Sequence, residues 1–330
     1  MKAAFIQHTG PPDVIQIGDL PDPQISPEQV LIRSEAAAVN PIDTYVRRGT
    51  VAMDLPTPFI PGSDVAGTVV QVGSNVTGFR TGDRVWATNQ GLLGRQGTLS
   101  QLVAVDAKWV YELPDGVEAA DAAACALTGV TAHLGLTRVG AKANETILVI
   151  GASGGVGSMV VQMANALGLK VIGTAGGPEK RDAVIKLGAD EVIDYLNSSI
   201  LDQIQQLAPE GIEILWETRR EPDFEFAVQA LAHRGRMILM AGRDARPEFP
   251  VGPFYVNECS LHGVVMFKAT ADEMRQAADD MNGWLSSGQL KPLVRKSFPL
   301  DQAVAAHQLQ EKATLEGTAA GMGKILIHFP

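Results

Sequence analysis

The sequence predicts an α/β protein in which β-rich segments at both ends of the chain flank a doubly wound parallel sheet. Short β-branched runs separated by Pro, Gly, Asn and Asp fill the first third, and strands alternate with helices from Glu145 onward. After Thr270 the composition returns to that of the first segment. We therefore place a β-rich domain at residues 1–122 and 271–330, and the doubly wound domain at residues 123–270.

Composition and charge restrict the partners. The chain has 330 residues, 45% of them hydrophobic, and a net charge of −10. This charge argues against nucleic acid or an anionic membrane as the main partner. Cys125 and Cys259 lie far apart and form neither a disulfide framework nor a zinc site. With no apolar signal core and no run of about 18 apolar residues, we expect a cytoplasmic protein without a membrane span.

The β-rich segment contains short runs in which β-branched residues are enriched, and Pro-rich loops connect them. A helix-rich bridge follows at 119–139. The predicted strands are KAAFIQ, VIQIGDL, QVLIRSEAAAV, DVAGTVVQVG, DRVWAT and LSQLVAVDA.

The middle of the chain alternates strand and helix, which is typical of a parallel sheet with right-handed crossovers. The predicted strands are TILVIGA, LKVIGTA, DEVIDY, IEILWET, RMILMAG and SLHGVVM, and the helices between the first five are VGSMVVQMANALG, PEKRDAVIKLG, SILDQIQQLA and DFEFAVQALAH. A long helix ADEMRQAADDMNGWLSSG, the segment LVRKSFPL, a short helix DQAVAAHQLQ and the strand KILIHF close the chain. We expect this tail to fold back onto the first domain.

The stretch LVIGASGGVG at 148–157 fits two kinds of site. Gly151, Gly154 and Gly157 have the spacing of a turn that lets the backbone approach a pyrophosphate. The same letters satisfy G-x-S-x-G around Ser153, the nucleophile elbow of a hydrolase. The phosphate cradle is favoured because the strand–helix alternation starts at these glycines and no HGGG-like oxyanion loop is present. A glycine-rich turn without a ligand is the third alternative.

The end of the second strand indicates which dinucleotide binds. NAD-selective sites place an Asp or Glu there, but the segment from Gly173 to Gly177 has no acid, and Lys180 and Arg181 follow. The missing carboxylate leaves room for a 2′-phosphate, which favours NADPH. The alternative is that both cations belong to a solvated helix face, and Glu179 weakens the positive charge.

Four stretches of the sequence resemble the medium-chain dehydrogenase/reductase superfamily, in particular its zinc-free, zeta-crystallin-like quinone oxidoreductase branch. They are AAVNPIDTYVRRG, FIPGSDVAGTVVQVGSNVTGFRTGDRVWA, ALTGVTAHLGL and LVIGASGGVG. The resemblance implies a GroES-like substrate domain built from both chain ends and a Rossmann domain between them. It also implies an NADPH-dependent oxidoreductase that reduces a small molecule, a quinone or an activated alkene, by direct hydride transfer.

The positions of zinc ligands in the zinc-dependent relatives distinguish the branches. Those relatives use a Cys near position 40, a His in a Gly-His-Glu motif and a later Cys. This chain has Asn40, then Gly62-Ser63-Asp64, and we expect no later Cys for the third position. The region of their four-cysteine lobe, 90–110, is cysteine-free here. We therefore predict no metal site, and a reaction that needs no Lewis acid.

The resemblance places three residues near the reacting end of the cofactor. Asn40 is the first candidate, and Asp43 and Tyr45 belong to the same motif. Tyr45 could supply a hydrogen bond or a proton to the substrate. Alternatively, Asp43 caps a local helix and Tyr45 packs at the domain junction.

Further residues are implied to bind the cofactor, each at the end of a strand or the start of a helix. They are Thr128 beside the nicotinamide ribose; Ser153, Gly154, Gly155 and Val156 at the pyrophosphate; Thr174, Lys180 and Tyr195 at the 2′-phosphate; Ala241, Gly242 and Arg243 after the fifth strand; Phe267 at the carboxamide; and Lys324 at a phosphate. Phe267 as a core residue and Lys324 as a surface lysine are the alternatives.

Two departures from the family pattern and several alternatives stay open. The final loop, LEGTAAGMGKIL, is longer and richer in glycine than the family pattern. Arg219 and Arg220 stand where the family has glycines after the fourth strand, so either the cofactor contact differs or the arginines serve an acidic substrate. The chain could also be an enoyl- or haloacrylate-type reductase, or a non-catalytic NADPH-binding protein that touches RNA. We expect a homodimer, formed through the strand SLHGVV.

Overall fold

The computed structural model describes residues 1–196, 199–316 and 321–330. The strands are β1 (Lys2–Phe5), β2 (Gln16–Asp19), β3 (Gln29–Val39), β4 (Asp64–Val72), β5 (Arg84–Ala87), β6 (Leu102–Asp106), β7 (Val110–Glu112), β8 (Thr146–Val149), β9 (Lys170–Ala175), β10 (Glu191–Asp194), β11 (Ile212–Glu217), β12 (Leu231–Leu239), β13 (Ser260–Gly263), β14 (Val294–Pro299) and β15 (Lys324–His328). The α-helices are α1 (Pro41–Arg48), α2 (Ala119–Arg138), α3 (Gly155–Ala166), α4 (Pro178–Lys186), α5 (Ile200–Leu207), α6 (Phe224–Ala230), α7 (Val251–Val256), α8 (Ala271–Ser287) and α9 (Ala303–Glu311).

The chain divides into two compact units. Unit 1 contains Met1–Val130 and Phe267–Pro330, and unit 2 contains Thr131–Met266. The first boundary falls inside α2, whereas the sequence places it at residue 122. The composition changes before α2 begins, but α2 is one continuous helix whose first part packs with unit 1 and whose last part packs with unit 2. The boundary between the units therefore lies later than the change in composition.

Unit 1 is built around a mixed sheet with the order β14-β15-β3-β4-β5-β7, in which β6 also pairs with β3. The C-terminal strand β15 runs antiparallel to β3, with Ile325 opposite Val39. This pairing confirms that the tail folds back onto the first segment. An ion pair between Arg47 and Glu311 also joins α1 to α9.

Unit 2 contains a parallel sheet with the order β10-β9-β8-β11-β12-β13 among the described residues. Numbered from β8, this is the order 3-2-1-4-5-6 of a Rossmann sheet, as the strand–helix alternation predicts. The central strand β8 is fully buried at Ile147, Leu148 and Val149. Strands β9 and β10 are added to one side of β8 and the next three strands to its other side, so β8 marks the topological switch point of the sheet. Folds of this kind bind ligands at the switch point.

Helix α2 is long and apolar enough to cross a membrane by length and composition. However, 83% of its apolar segment is buried inside the structure. Small residues such as Ala122, Ala123 and Ala124 let neighbouring elements pack closely against it. These features are those of a core helix.

Two short elements were not predicted from the sequence. Helix α7 exposes Val251, Tyr255 and Val256 by more than 60% each, so its apolar residues mark no buried face. Strand β7 has three residues, too few for an alternating pattern. Hydrophobic periodicity detects an element only when one face is buried over several residues.

Candidate functional site

The glycine stretch forms a tight turn between β8 and α3 in unit 2. Gly151 has a φ of +74°, and the Gly154 N–H donates to the Gly151 carbonyl at 2.9 Å. A Cβ atom on Gly157 would collide with that same carbonyl oxygen. Glycine is thus required at 151 by conformation and at 157 by the close approach of helix and turn.

This turn could hold an anionic group. Helix α3 begins at Gly155, so the N–H groups of its first turn have no acceptor within the helix. Gly154 is exposed, while Ser153, Gly155 and Val156 are half-buried. The helix dipole adds positive charge at this end. The turn therefore has the geometry and polarity of a pyrophosphate site.

The elbow alternative requires a histidine that can activate Ser153. His307 is buried, and neither of its ring nitrogens has a hydrogen-bond partner among the described residues. Burial lowers the pKa of His307 to about 3. A catalytic histidine is held and oriented by an acid, so His307 does not fit that role.

The ends of β9 and β10 lie close together, as the 2′-phosphate prediction requires. The Tyr195 ring, 47% exposed, packs against Gly176, since a Cβ there would lie 2.6 Å from its hydroxyl oxygen. Lys180 is half-buried in the first turn of α4, and Arg181 is exposed. Tyr195 and Lys180 thus flank the tip of the second strand of the sheet.

Thr174 has a different environment from the one expected. It is buried, and its hydroxyl accepts from the Gly151 N–H at 3.0 Å. The hydroxyl therefore supports the glycine turn from β9. A direct contact with a 2′-phosphate stays a prediction.

Asp194 was missed in the sequence. It is 9% exposed at the end of β10, and its Oδ1 accepts from the N–H groups of Gly177 and Leu196. This carboxylate fixes the loop that begins α4. The sequence analysis looked for an acid only at the end of β9, the second strand, and nothing in the sequence indicates that Asp194, at the end of the next strand, reaches the start of α4.

The loop after β11 is closed by an internal ion pair. The Glu217 carboxylate is fully buried and accepts from Arg219 Nη2 at 2.6 Å and Nε at 3.0 Å. The guanidinium of Arg219 thus has Glu217 as its partner within the loop. A contact between Arg219 and an acidic substrate stays a prediction. The Arg220 carbonyl packs against Gly242, whose φ is +80°, with Ala241 and Arg243 exposed beside it.

Asn40 and Asp43 lie in a buried polar cluster of unit 1. Asn40, fully buried, precedes α1, and its backbone N–H donates to Asp43 Oδ2 at 2.7 Å. Asp43 Oδ1 accepts from the Ser63 hydroxyl at 2.5 Å. Asp43 therefore caps α1, which confirms the local-helix alternative and leaves a catalytic contact as a prediction.

Strand register brings Asn40, Asp64 and Lys324 together. Ala38 of β3 pairs with Asp64 of β4, and Val39 pairs with Ile325 of β15. The Asn40 amide nitrogen donates to Asp64 Oδ2 at 2.8 Å, and its amide oxygen accepts from the Lys324 ammonium.

Lys324 is only 5% exposed, so the surface-lysine alternative is wrong. Its position in this cluster is instead set by β15, of which it is the first residue. A contact between Lys324 and a cofactor phosphate stays a prediction.

The cluster shifts the pKa of each of its ionisable groups. Burial raises the pKa of Asp43 to about 7, with the charge of Asp64 adding to the rise. Burial also raises the pKa of Asp64, against which Lys324 and Thr88, at 2.6 Å from Oδ1, stabilise the carboxylate. Burial lowers the pKa of Lys324, and both carboxylates oppose that shift.

Cys125 belongs to the same neighbourhood, which the sequence did not show. It is fully buried, burial raises its pKa, and the charges of Lys324 and Asp64 act on it. The expectation of no later Cys for the third zinc-ligand position is therefore corrected, since the Cys125 thiol lies close enough to this cluster for the charges of Lys324 and Asp64 to act on it. Thr128, three residues on, is buried and donates to the Ala124 and Cys125 carbonyls of its own helix.

The two aromatic candidates of unit 1 are both partly buried. Tyr45 lies on α1, two residues beyond Asp43. Phe267 packs against the apolar core of unit 1, as its core alternative predicts. Neither position by itself assigns a contact with substrate or cofactor.

The residues present do not fit a zinc ion. Zinc sites use thiolate, imidazole and carboxylate ligands, and no group of three such side chains with metal-binding geometry occurs in the described part of the chain. At the two positions where the resemblance implies a Cys and a His in zinc-dependent relatives, this chain has Asn40 and Ser63. The ammonium of Lys324 bonded to Asn40 would repel a divalent ion.

A cavity of about 540 Å³ opens elsewhere in unit 1. Its lining includes Pro23, Gln29, Gln96 and Leu102 but none of the candidate catalytic residues. It is therefore separate from the polar cluster.

Comparisons with known proteins agree with both parts of the chain. Residues 26–115 match the alcohol dehydrogenase GroES-like domain, and residues 155–282 match the zinc-binding dehydrogenase family. A quinone oxidoreductase of Homo sapiens is 35% identical, with 93% of each chain covered. An NADPH-dependent alkenal/one oxidoreductase of Arabidopsis thaliana is 32% identical, covering 99% of this chain and 79% of the relative. The crystal structure of Escherichia coli quinone oxidoreductase complexed with NADPH matches with a TM-score of 0.84 and 26% identity, covering 99% and 100% of the two chains.

Proposed function

We propose that this chain, which belongs to the quinone oxidoreductase branch of the medium-chain dehydrogenase/reductase superfamily, is an NADPH-dependent reductase of quinones or activated alkenes. The observation that carries the proposal is the 35% identity to a quinone oxidoreductase over 93% of both chains. A match of that length includes both the GroES-like segment and the glycine turn.

NADPH is the proposed cofactor, and unit 2 supplies the residues for it. Gly154, Gly155 and Val156 would hold the pyrophosphate through backbone N–H groups at the start of α3. Lys180 would pair with the 2′-phosphate, and Tyr195 would stack on the adenosine. The bound cofactor supplies a hydride.

The reaction proposed needs no metal. A quinone or a conjugated alkene is already electron-poor, so its reduction takes one hydride and one proton without a Lewis acid. The protein's part is to align the acceptor and to donate a hydrogen bond to the oxygen that gains charge. Tyr45 is the donor we propose for that oxygen, and Asn40, in the same motif, is proposed to lie near the nicotinamide end of the cofactor.

A second acceptor class is a conjugated enone, enal or unsaturated acid. The similarity to an alkenal/one oxidoreductase favours it, since that relative covers 99% of this chain. The same residues serve both classes, because each acceptor places negative charge on an oxygen conjugated to the reacting carbon.

We further propose a cytoplasmic homodimer. Strand β13 lies at the edge of the parallel sheet and exposes Leu261 by 39%, which allows pairing with a second copy. A Leu261→Lys variant should then sediment as a monomer, and an unchanged sedimentation coefficient would contradict this interface. Cys125 and Cys259 are both free thiols, as suits a reducing compartment.

The test is NADPH oxidation, followed by absorbance, with NADH as the control cofactor. The acceptors are a benzoquinone, a naphthoquinone, an aliphatic enone and an unsaturated acid. We expect turnover with NADPH and far less with NADH. Tight NADPH binding without turnover on any acceptor would favour a binding role, and absence of NADPH binding would contradict the assignment of the glycine turn.

A further inference from the structure

Three ionisable groups are buried together in unit 1. Lys324, Asp43 and Asp64 are 5%, 3% and 0% exposed. An isolated charge buried to this degree costs several kcal/mol, so buried charges persist only when paired and hydrogen-bonded. The arrangement therefore has to supply compensation for each of them.

The compensation comes from donors built into five separate segments. Asp64 accepts from Asn40 Nδ2 at 2.8 Å and from Thr88 at 2.6 Å, and the Leu127 N–H also bonds it. Asp43 accepts from the Ser63 hydroxyl and the Asn40 N–H. The positive charge is contributed by Lys324 alone among the groups that act on Asp64.

Asn40 lies between the opposite charges. Its amide oxygen faces the Lys324 ammonium, and its amide nitrogen faces Asp64. Turning the amide over would point N–H groups at an ammonium and a carbonyl oxygen at a carboxylate. The pair therefore fixes one orientation of the Asn40 amide.

We propose that the Lys324 ammonium is the resident cation of this cluster, tethered to β15, and that it excludes divalent metal ions from Asn40 and the two acidic side chains. Lys324 is thus a positioning residue: it holds Asn40 and keeps the cluster free of metal. The importance of Lys324 for catalysis rests on the proposed zinc-independent reductase function. The claim that its ammonium occupies the cluster rests only on contacts within unit 1.

Removal of the ammonium should turn the cluster into a cation site. Lys324→Ala vacates the volume beside the Asn40 amide oxygen and leaves the Asp64 and Asp43 side chains without the positive charge that acts on both. Oxygen donors of this kind suit Mn²⁺, Mg²⁺ and Ca²⁺. The wild-type side chain blocks such ions both by volume and by charge.

The experiment is a titration of apo protein with Mn²⁺, in which electron paramagnetic resonance measures the free ion. Lys312→Ala is the matched control, because Lys312 is exposed and its removal changes the net charge equally. We expect Lys324→Ala to bind one Mn²⁺ per chain, at least about tenfold tighter than wild type or Lys312→Ala. Equal, weak binding by all three proteins would overturn the proposal.

A second measurement needs no substitution at Lys324. The ¹⁵N resonance of Lys324 Nζ in the wild-type protein, assigned through its side-chain carbons, reports whether the group is an ammonium. We expect a charged ammonium at neutral pH, with hydrogens slow to exchange with water. A neutral amine would overturn the proposal even if Lys324→Ala fails to fold. Neither assay uses NADPH or an acceptor. A negative result in either one therefore contradicts the role of Lys324 without contradicting the proposed reductase activity.

Discussion

The glycine turn of unit 2 and the charged cluster of unit 1 are organised in opposite ways. The turn is made of backbone from one continuous segment, 151–157, and its shape depends on glycines, which carry no side chain. The cluster is made of side chains, and its Asn40–Lys324 contact spans 284 positions of sequence. A backbone site is thus specified locally, whereas a side-chain site depends on the register of distant strands.

The two sites should therefore fail differently. A defect in the turn should remove cofactor binding and lower the free energy of unfolding only through the local strain that it creates. A defect in the cluster should lower the free energy of unfolding and alter its dependence on pH. Four predictions follow this contrast, from the largest effect to the smallest.

Gly157→Ala should abolish NADPH binding. The added Cβ meets the Gly151 carbonyl, so the turn has to move out of the shape that receives the pyrophosphate. We expect the Kd for NADPH to rise by at least about 100-fold, measured by fluorescence titration. Gly252→Ala is the control, since a Cβ at Gly252 has nothing within 4 Å. Unchanged binding by Gly157→Ala would contradict this account of the turn.

Lys324→Met should destabilise the protein by about 3–5 kcal/mol, because it leaves buried carboxylates without their cation. Adding Asp64→Asn removes one of those charges, so the double variant should be less destabilised than the sum of the single ones. Denaturant unfolding of all four members of the cycle measures the coupling. Strict additivity would show that the two groups do not interact.

Asp43→Asn should change how stability depends on pH. The pKa of Asp43 is about 7 in the folded chain, against an ordinary value of 3.8 for an aspartate exposed to water. Between these values the folded state keeps a proton that the unfolded state has released. Asp43 thus contributes stability that is full below about pH 4 and is lost as pH rises toward 7, by up to about 4 kcal/mol.

The asparagine variant keeps an acceptor for the Asn40 N–H but cannot ionise. Its unfolding free energy, measured between pH 4 and 7, should fall less steeply than that of the wild type. Asp301→Asn, which removes an exposed carboxyl, is the matched control. An identical slope in the wild type and Asp43→Asn would rule out the shifted titration.

Lys180→Ala should weaken the binding of NADPH but not that of NADH. Loss of a hydrogen bond between charged groups costs about 1.5–3 kcal/mol, so KM for NADPH should rise about 10- to 100-fold while KM for NADH stays the same. Lys186→Ala, at an exposed position of the same helix, serves as the comparison. Equal effects of both variants on both cofactors would remove Lys180 from the 2′-phosphate site.

Sequence reasoning succeeds where periodicity or conformation leaves a local signal. The β8–α3 turn and the strand–helix alternation of unit 2 could be located because Gly151, Gly154 and Gly157 and the apolar runs are contiguous. In unit 1 the sequence named Asn40 and Asp43 through a resemblance. Their partners could not be derived, since nothing near residue 40 indicates that residue 324 will lie opposite it.

The missed residues share this cause. Ser63 and Asp64 were noted only as replacements for metal ligands, and Thr88 and Cys125 carried no signal. Asp64 and Thr88 reach the cluster through strand pairing, Asp64 opposite Ala38 and Thr88 one residue beyond the Ala87–Val65 pair, whereas Cys125 reaches it from helix α2. A register shift of one residue would turn these side chains to the other face of the sheet.

The most direct test of a metal-free NADPH reductase is steady-state turnover of chelator-dialysed enzyme whose metal content has been measured. The account predicts that NADPH-dependent reduction of a quinone or enone proceeds at the same rate before and after dialysis, with far less than one zinc per chain. A rate lost on dialysis and restored by stoichiometric zinc would contradict it.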